Sequence, residues 1–206
     1  RLISSAQRRV RRAGRARVDY AAAWEAADEL QEAVYQRFRG AAHAGRGTVS
    51  RVSADFEAFV TAQKSAPVDW FRRDCVYEAL SAAAGDDDWR VWGEQDGGLL
   101  PIDQRLFSPQ SGEEDLCRRR VRQVLQDHQA SVERFAFGQF LLHVQHERMR
   151  EEARGLGLSL LADMHIGFSH QDQWAWRSLF LPNYLLGAPP SRTTRPSSAL
   201  SGRASR

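Results

Sequence analysis

The stretch LSLLADMHIGFSHQDQWAWRSLFLPNYLLGAPPS, from Leu158 to Ser191, decides the fold that the sequence predicts. It opens with an apolar run from Leu158 to Ala162, with Gly157 in front of it and Asp163 directly behind it. A short apolar run bounded by glycine is typical of a strand that is buried on both faces, as in a parallel sheet covered by helices. We therefore expect Asp163 to stand at the carboxyl end of such a strand.

The order of elements around this run predicts an α/β fold, namely a partial TIM (β/α) barrel with a mostly helical insertion. Such barrels repeat a helix, a turn and a buried strand, and their chemical groups lie at the carboxyl ends of the strands. Asp163 occupies that place, although an acid there could equally cap the next element. The loop after it carries Trp174, Trp176 and Phe180. Because proteins hold sugars with flat aromatic faces and carboxylates, we predict a carbohydrate-binding loop.

Hydrophobic periodicity predicts helices over most of the preceding chain. Apolar residues from Tyr20 to Phe38 recur at helical spacing and indicate a first helix. Ser53 is a candidate N-cap for a second, short helix. A third helix is expected after Pro67, with Asp69 as its cap, and it should end before Gly85.

The middle of the chain predicts an irregular connection followed by two more helices. Residues 86–112 contain two tryptophans, two prolines and several glycines, which disfavour regular structure. From Glu113 to Arg154 the periodicity is helical again, and a single helix of that length without caps is unusual. We therefore expect a break between Ser131 and Gly138. The expected buried stripe of the second helix is Phe137, Phe140, Leu141 and Val144.

Composition and charge restrict the classes of partner. The 206 residues could bury the core of one domain or form part of a larger one, and their net charge is only +3. Arginines without acids concentrate in residues 1–17 and again after Ser191. Basic arms can bind phosphates, but these two lack the interleaved aromatic residues of single-strand binders, so we expect no nucleic-acid partner. A helical protein- or nucleic-acid-interaction module without enzymatic activity remains the alternative function.

The sequence predicts a cytoplasmic protein that needs no metal and no organic cofactor. Cys75 and Cys117 are its two cysteines, no apolar stretch is long enough to span a membrane, and no secretory signal is visible. We therefore expect no membrane partner. His143 and His146 lack the spacing of a zinc-binding helix, and residues 86–88 lack the alternation of a calcium loop.

The segment FGQFLLHVQHERMREEARGLGLSLLADMHIGFSHQDQWAWRSLFLPNYLLGAPPSRT resembles the middle of a bacterial 4-alpha-glucanotransferase, also called amylomaltase or disproportionating enzyme, of glycoside hydrolase family 77. In that family a helix leads into a strand ending Gly-Asp-Leu-Pro-Ile, then Asp-x-Trp, a Leu-Phe pair and a Gly-Ala-Pro-Pro loop. The upstream pieces RARVDYAAAW and DWFRRDCVYEALSAAAGDDDWRVWGEQ are similar to the family's helical insertion. The resemblance covers Arg15 to Thr193 and is clearest in the last third.

The resemblance implies a glucan-binding site. Asp163 matches the family's strand-end acid, which binds glucan and is not the nucleophile. Asp172 and Trp174 match the Asp-x-Trp motif, and residues 187–190 match the loop that folds over the acceptor sites. His165 stands where the family has Pro, which places a titratable ring beside Asp163. The implied substrate-binding residues are Asp163, His165, Asp172, Trp174, Gly187, Pro189 and Pro190.

The implied activity is transfer of α-1,4-glucan segments between maltooligosaccharides by a retaining double displacement, with an aspartate as nucleophile and a glutamate as acid and base. The family carries its nucleophile in an Arg-x-Asp-His motif after the Gly-Ala-Pro-Pro loop, and this chain has no such motif. We therefore expect no catalytic residue here and an inactive piece of the enzyme. The tail, rich in Arg, Ser and Ala, suggests a reading-frame shift near Thr193 or Thr194.

These expectations divide the chain into four parts. They are a basic N-terminal arm over residues 1–14, the helical insertion over 15–112, barrel helices with strand and substrate loop over 113–190, and a disordered tail over 191–206. Because part of a barrel leaves open sheet edges and an uncovered apolar face, we expect the chain to aggregate or to remain partly molten on its own.

Overall fold

The computed structural model describes residues 19–43, 47–93, 98–163 and 167–181. Within these ranges the protein consists of helices joined by irregular turns. The α-helices are α1 Tyr20–His43, α2 Gly47–Lys64, α3 Trp70–Ala84, α4 Glu114–Asp127, α5 Gln129–Gly155 and α6 His170–Ala175. Short 3₁₀ turns cover Trp89–Val91, Pro101–Arg105 and Arg177–Leu179.

The predicted α/β class is wrong, because the described ranges hold helices and no strand, and hence neither a sheet nor a partial barrel. The run from Leu158 to Ala162, predicted as a buried strand, is irregular and exposed, and Leu161 is 96% exposed. A strand satisfies its backbone N–H and C=O groups by pairing with a second strand, and the described residues provide none. The fold of these residues is therefore all-helical. The arm over 1–14 and the tail over 191–206 lie outside them.

Helix α3 is the centre of the bundle and contacts α2, α4, α5 and α6. It begins after Asp69, as predicted, although that side chain accepts from Arg72 instead of capping the helix. It ends as predicted at Gly85, whose φ of +67° is left-handed and whose N–H donates to the Ser81 carbonyl at 2.9 Å. Opposite sides of α3 bury side chains, so the helix divides the core into two clusters.

The first cluster, which we call the tryptophan cluster, joins α3 and α4 to the irregular connection and to α6. Its buried members are Val76, Tyr77, Ala79, Leu80, Trp89, Trp92, Leu99, Ile102, Leu106, Cys117, Val121, Val124, Trp174 and Ala175. Burial of so many large side chains gives the irregular residues 86–93 and 98–112 a fixed place with little regular hydrogen bonding.

The second cluster, which we call the phenylalanine cluster, lies where α1, α2, α3 and α5 meet. Its buried members are Tyr35, Phe59, Phe71, Cys75, Ala136, Phe137 and Phe140. Partly buried Phe38 stacks on Phe137 with ring centroids 4.4 Å apart, and Phe56 meets both rings edge-on. In the predicted stripe of α5, Phe137 and Phe140 are thus buried, but Val144 is 46% exposed.

The predicted break in the fourth helical segment is confirmed, but it lies at His128 and so before the expected interval. Asp and His are weak helix formers, and Asp127 precedes His128 directly. Gly138 lies inside α5 instead. A Cβ at this position would stand 2.3 Å from Nε2 of Gln31, so the glycine lets α1 approach α5 closely. Similarly, α2 begins at Gly47 and not at Ser53.

Arg134 ties three helices together at the edge of this core. Its guanidinium lies 2.6 Å from Asp28 of α1 and 3.5 Å from Glu78 of α3. Next to it, the Tyr35 hydroxyl donates to Glu133 at 2.9 Å. Within the described part of the chain, no helix combines the length and the apolar character needed to cross a membrane.

Candidate functional site

The described element that follows Asp163 is the short helix α6, which carries two of the predicted site residues. Its start is a capping box: the Asp172 N–H donates to Oγ of Ser169 at 3.0 Å, and the Ser169 N–H donates back to the Asp172 carboxylate at 3.2 Å. This reciprocal pair fixes the orientation of Asp172, which remains exposed to solvent.

Trp174, on the same helix, points the other way and is 1% exposed. Its ring lies 5.5 Å from Tyr77, 5.7 Å from Trp92 and 5.3 Å from Phe107 between centroids. Its indole N–H donates to the main-chain carbonyl of Asp103 at 2.8 Å. In this position Trp174 anchors α6 in the tryptophan cluster.

The acceptor of that hydrogen bond belongs to a buried ion pair. Asp103 is 0% exposed and accepts from Nε and Nη2 of Arg120, each at 2.8 Å, and from the Leu100 N–H at 2.8 Å. Nη2 of Arg120 also donates to the Gly98 carbonyl at 3.1 Å. The hydrogen bonds that Arg120 donates to Asp103 raise the pKa of the guanidinium. A buried carboxylate with this many donors holds the 98–106 segment rigidly.

The carboxyl end of α6 is held by Arg73 of α3. Its guanidinium donates to the main-chain carbonyl of Ala175 and lies 4.2 Å from the ring centroid of Trp176 and 4.7 Å from that of Phe107. Burial lowers the pKa of Arg73, and the neighbouring Arg72 lowers it further. One face of Trp176 is therefore covered by a cation.

The amino-terminal half of α6 lies over Asp74, the next residue of α3. Burial raises the pKa of this carboxyl to about 6, the charge of Asp172 raises it too, and a hydrogen bond from the Gln171 side chain opposes the shift. A carboxyl group that titrates near neutral pH in such a place is a candidate functional group.

Two further contacts join α6 to the turn over residues 86–91. The Gln173 side chain accepts from Nη2 of Arg90 at 2.6 Å, and Nδ1 of His170 lies 3.8 Å from the Asp87 carboxylate. Residues 86–88 form a polar turn, in which the Asp88 N–H donates to Asp86 at 2.8 Å. The residues from 170 to 176 are therefore held along their whole length.

The other predicted site residues are distributed as follows. Asp163 is exposed, in the irregular stretch after α5. His165, Gly187, Pro189 and Pro190 lie outside the described residues. The structure thus places Asp172 and Trp174 on opposite sides of one helix, and the role of all seven residues in binding stays a prediction.

Sequence reasoning missed Arg73 and Asp74, as well as the Asp103–Arg120 pair. For Arg73 and Asp74 a signal was present. Helix α3 buries residues on both of its sides, so little of its surface remains for charged side chains in solvent. It also missed α6, although Ser169 and Asp172 have the spacing of a capping box. The ion pair carries no comparable signal, because its members come from two elements and meet only in the folded chain.

The rest of the described surface offers less specific chemistry. A groove of about 1310 Å³ runs along the phenylalanine cluster, with acids and bases such as Glu57, Lys64 and Glu133 on its rim. This mixture favours neither sign of ligand charge. In the ranges described, no group of three or more His, Cys, Asp or Glu residues is arranged to hold a metal ion.

Comparison of the sequence with known proteins identifies one family. The family model described as 4-alpha-glucanotransferase, glycoside hydrolase family 77, matches residues 2–195. The chain is also 34% identical, over 129 residues, to the chloroplastic/amyloplastic 4-alpha-glucanotransferase DPE1 of Oryza sativa subsp. japonica. That alignment covers 59% of the chain and 19% of the rice protein, so the chain spans about a fifth of this relative. No solved structure matches the chain.

Proposed function

Because this chain belongs to the 4-alpha-glucanotransferase family, we propose that it is part of an enzyme that transfers α-1,4-glucan segments between maltooligosaccharides. The match over residues 2–195 carries the proposal, and the identity to the rice enzyme supports it. The reaction is a retaining double displacement. A carboxylate first attacks the anomeric carbon and forms a glucosyl–enzyme bond, while the glycosidic bond breaks and the leaving glucan oxygen takes a proton from a glutamic acid. A hydroxyl of the acceptor glucan then attacks the same carbon, gives its proton to that glutamate and displaces the carboxylate, which forms the new α-1,4 bond.

The proposed part of this chain in the reaction is to bind glucan, because it carries no Arg-x-Asp-His motif for the nucleophile. Asp163 and Asp172 are exposed carboxylates and can accept hydrogen bonds from sugar hydroxyls. His165, Gly187, Pro189 and Pro190 complete the proposed substrate-binding set on the strength of the family motifs.

The proposed part of Trp174 in binding is to hold α6 in place, since its ring is enclosed by other aromatic side chains. Aromatic surface near α6 is instead available at Phe168, which is 46% exposed and packs edge-on against Phe180 at 5.0 Å. We propose that this pair provides apolar contact for a sugar ring.

A titration of the chain with maltoheptaose, followed by tryptophan fluorescence, tests the proposal. Trp174 and Trp176 lie on or beside α6, so a saturable change is expected. Cellohexaose, whose linkages are β-1,4, is the control ligand and should produce no change. Asp163→Asn should weaken maltoheptaose binding, whereas Asp55→Asn, an exposed acid on α2, should not. Absence of any response at millimolar maltoheptaose would contradict the proposed binding role.

A transfer assay tests whether this chain binds glucan without catalysing its transfer. Incubation of the chain with maltotriose should release no glucose and form no longer maltodextrins, because the nucleophile motif is absent from this sequence. Products in this assay would show that a carboxylate of this chain acts as nucleophile.

We also propose that the protein works in the cytoplasm, with glucan as its partner and with neither membrane nor nucleic acid. The two cysteines support this placement, since Cys75 and Cys117 are both free and buried. Burial raises the pKa of the Cys75 thiol to about 12, which makes it inert.

A further inference from the structure

The strongest unassigned feature of the molecule is the pair of adjacent polar residues, Arg73 and Asp74, on which α6 rests. We propose that they are positioning residues for the glucan-binding segment: each holds one half of α6, and together they set where Asp172 stands. This inference rests on the proposed function, because Asp172 meets glucan only if that function is correct.

Arg73 holds the carboxyl half. Ala175 is the last residue of α6, and its carbonyl is one of those that a helix leaves without an internal partner. Arg73 supplies the missing donor, while its guanidinium carbon lies close to the rings of both Trp176 and Phe107. Contact with two rings and donation to one carbonyl at the same time suit the planar guanidinium with its several donors, which a lysine ammonium does not replace.

Asp74 holds the amino-terminal half. It is half-buried on α3, which packs against α6, and it accepts a hydrogen bond from the side chain of Gln171 in the first turn of α6, next to Asp172. Burial disfavours the ionised form of Asp74, and repulsion between its carboxylate and that of Asp172 adds to this effect. The placement of Asp172 therefore depends on whether Asp74 carries a proton.

The surrounding charges leave this dependence intact. On α6, Asp172 acts on Asp74, while His170 faces Asp87. In the adjacent turn, Arg90 pairs with Asp88. On α3 itself, Glu78 faces Arg134 of α5.

The sign of the pH dependence follows from the raised pKa. Docking of α6 favours the protonated carboxyl, so its contribution is fully present below the ordinary pKa of 3.8 and is lost as the pH rises through about 6. The segment should hence be held more firmly in weak acid than at neutral pH.

Hydrogen exchange of the segment 168–181 tests the role of Asp74. After correction for the intrinsic exchange rate, we expect protection of α6 to be about tenfold higher at pH 5 than at pH 7.5. Asp74→Asn cannot titrate and should abolish this difference. Glu78→Gln is the matched control, since it changes a half-buried carboxylate on the same helix that faces α5, and it should keep the difference.

Arg73→Lys tests the other half, with Arg72→Lys as its control. Arg72 is an exposed neighbour paired with Asp69, so its replacement should leave α6 unchanged. Arg73→Lys should lower protection of 168–181 at both pH values and raise the Kd for maltoheptaose about tenfold, while the midpoint of global unfolding remains that of the control.

The outcomes separate the two proposals. If the wild-type chain binds no maltoheptaose but shows the pH step, and Asp74→Asn removes it, the proposed function fails and the positioning of α6 stands. If protection of 168–181 is the same in wild type, Asp74→Asn and Arg73→Lys at both pH values, the positioning role is overturned, whether or not glucan binds.

Discussion

The indole N–H of Trp174 donates to the main-chain carbonyl of Asp103 at 2.8 Å, and this bond joins α6 to a residue 71 positions earlier in the chain. The same Asp103 accepts two hydrogen bonds from Arg120 through its side chain. One buried residue therefore connects α4, the irregular 98–106 segment and α6, and the stability of all three should depend on it.

Replacing Arg120 by Met should destabilise the protein by about 3–5 kcal/mol, because the carboxylate of Asp103 would remain buried without its counter-ion. Urea unfolding followed by far-UV circular dichroism measures this loss. Arg118→Met is the control on the same helix. It breaks an exposed pair with Asp115 and should cost less than about 1 kcal/mol. Equal losses in the two variants would contradict the central role of the buried pair.

Replacing Trp174 by Phe should cost about 1–3 kcal/mol of folding free energy, since the buried carbonyl of Asp103 would lose its donor. The matched variant Trp24→Phe changes a residue that is 76% exposed and should remain within about 0.5 kcal/mol of wild type. Guanidinium unfolding of both variants measures these changes in the free energy of unfolding. A neutral Trp174→Phe would mean that water replaces the indole N–H.

Alanine at two glycines should act in opposite directions. Gly85 has a φ of +67°, so Gly85→Ala should destabilise the protein by about 1–2 kcal/mol although the space around it is open. Gly40 lies inside α1, also with nothing within 4 Å of an added Cβ, so Gly40→Ala should stabilise by about 1 kcal/mol. Thermal unfolding of the two variants measures both signs, and a common sign would exclude this explanation.

The acid limb of the stability curve should depend on Glu113. Hydrogen bonds from Arg105 and from the Gln110 N–H lower the pKa of this carboxyl to about 2. Its contribution is present above the ordinary pKa of 4.5 and is lost as the pH falls through about 2. Glu113→Gln should therefore show a smaller loss of stability between pH 5 and pH 2. In an Arg105→Met background the same change should matter less, and an undiminished effect there would rule out the ion pair as the cause.

The exposed leucines after α5 should affect association more than folding. Leu161 is 96% exposed, so Leu161→Lys should change the free energy of unfolding by less than about 0.5 kcal/mol while reducing self-association in light scattering. Leu80, by contrast, is 0% exposed, and Leu80→Ala should cost about 2–5 kcal/mol. Unchanged light scattering of Leu161→Lys would locate the association surface elsewhere.

Local signals predicted the limits of α3 and the end of α5. Pro67 and Asp69 before α3, and Gly85 after it, mark its limits because caps and breakers act within one or two residues of a helix end. The glycines at 155 and 157 mark the end of α5 in the same way. The family motifs between Phe137 and Thr193 likewise identified the family, since a motif is read directly from the chain.

Local sequence patterns predicted one element wrongly, namely the strand. The run from Leu158 to Ala162 has the composition of a buried strand, but a strand exists only with a partner, and partner choice is not encoded in the run itself. In the site, the sequence placed Trp174 among the substrate-binding residues, a role that stays a prediction, while the fold encloses its ring among Tyr77, Trp92 and Phe107.

The sequence by itself thus determined the limits of α3, the end of α5, the family and the residue types expected to meet a glucan. Only the tertiary structure decided that α6 rests on Arg73 and Asp74, that Asp103 pairs with Arg120, and that Asp172 faces solvent while Trp174 does not. The physical reason is the distance along the chain over which each kind of interaction acts. Helix periodicity and capping act over a few neighbouring residues, whereas burial, ion pairing and the resulting pKa of a side chain depend on residues that meet only when distant segments pack together.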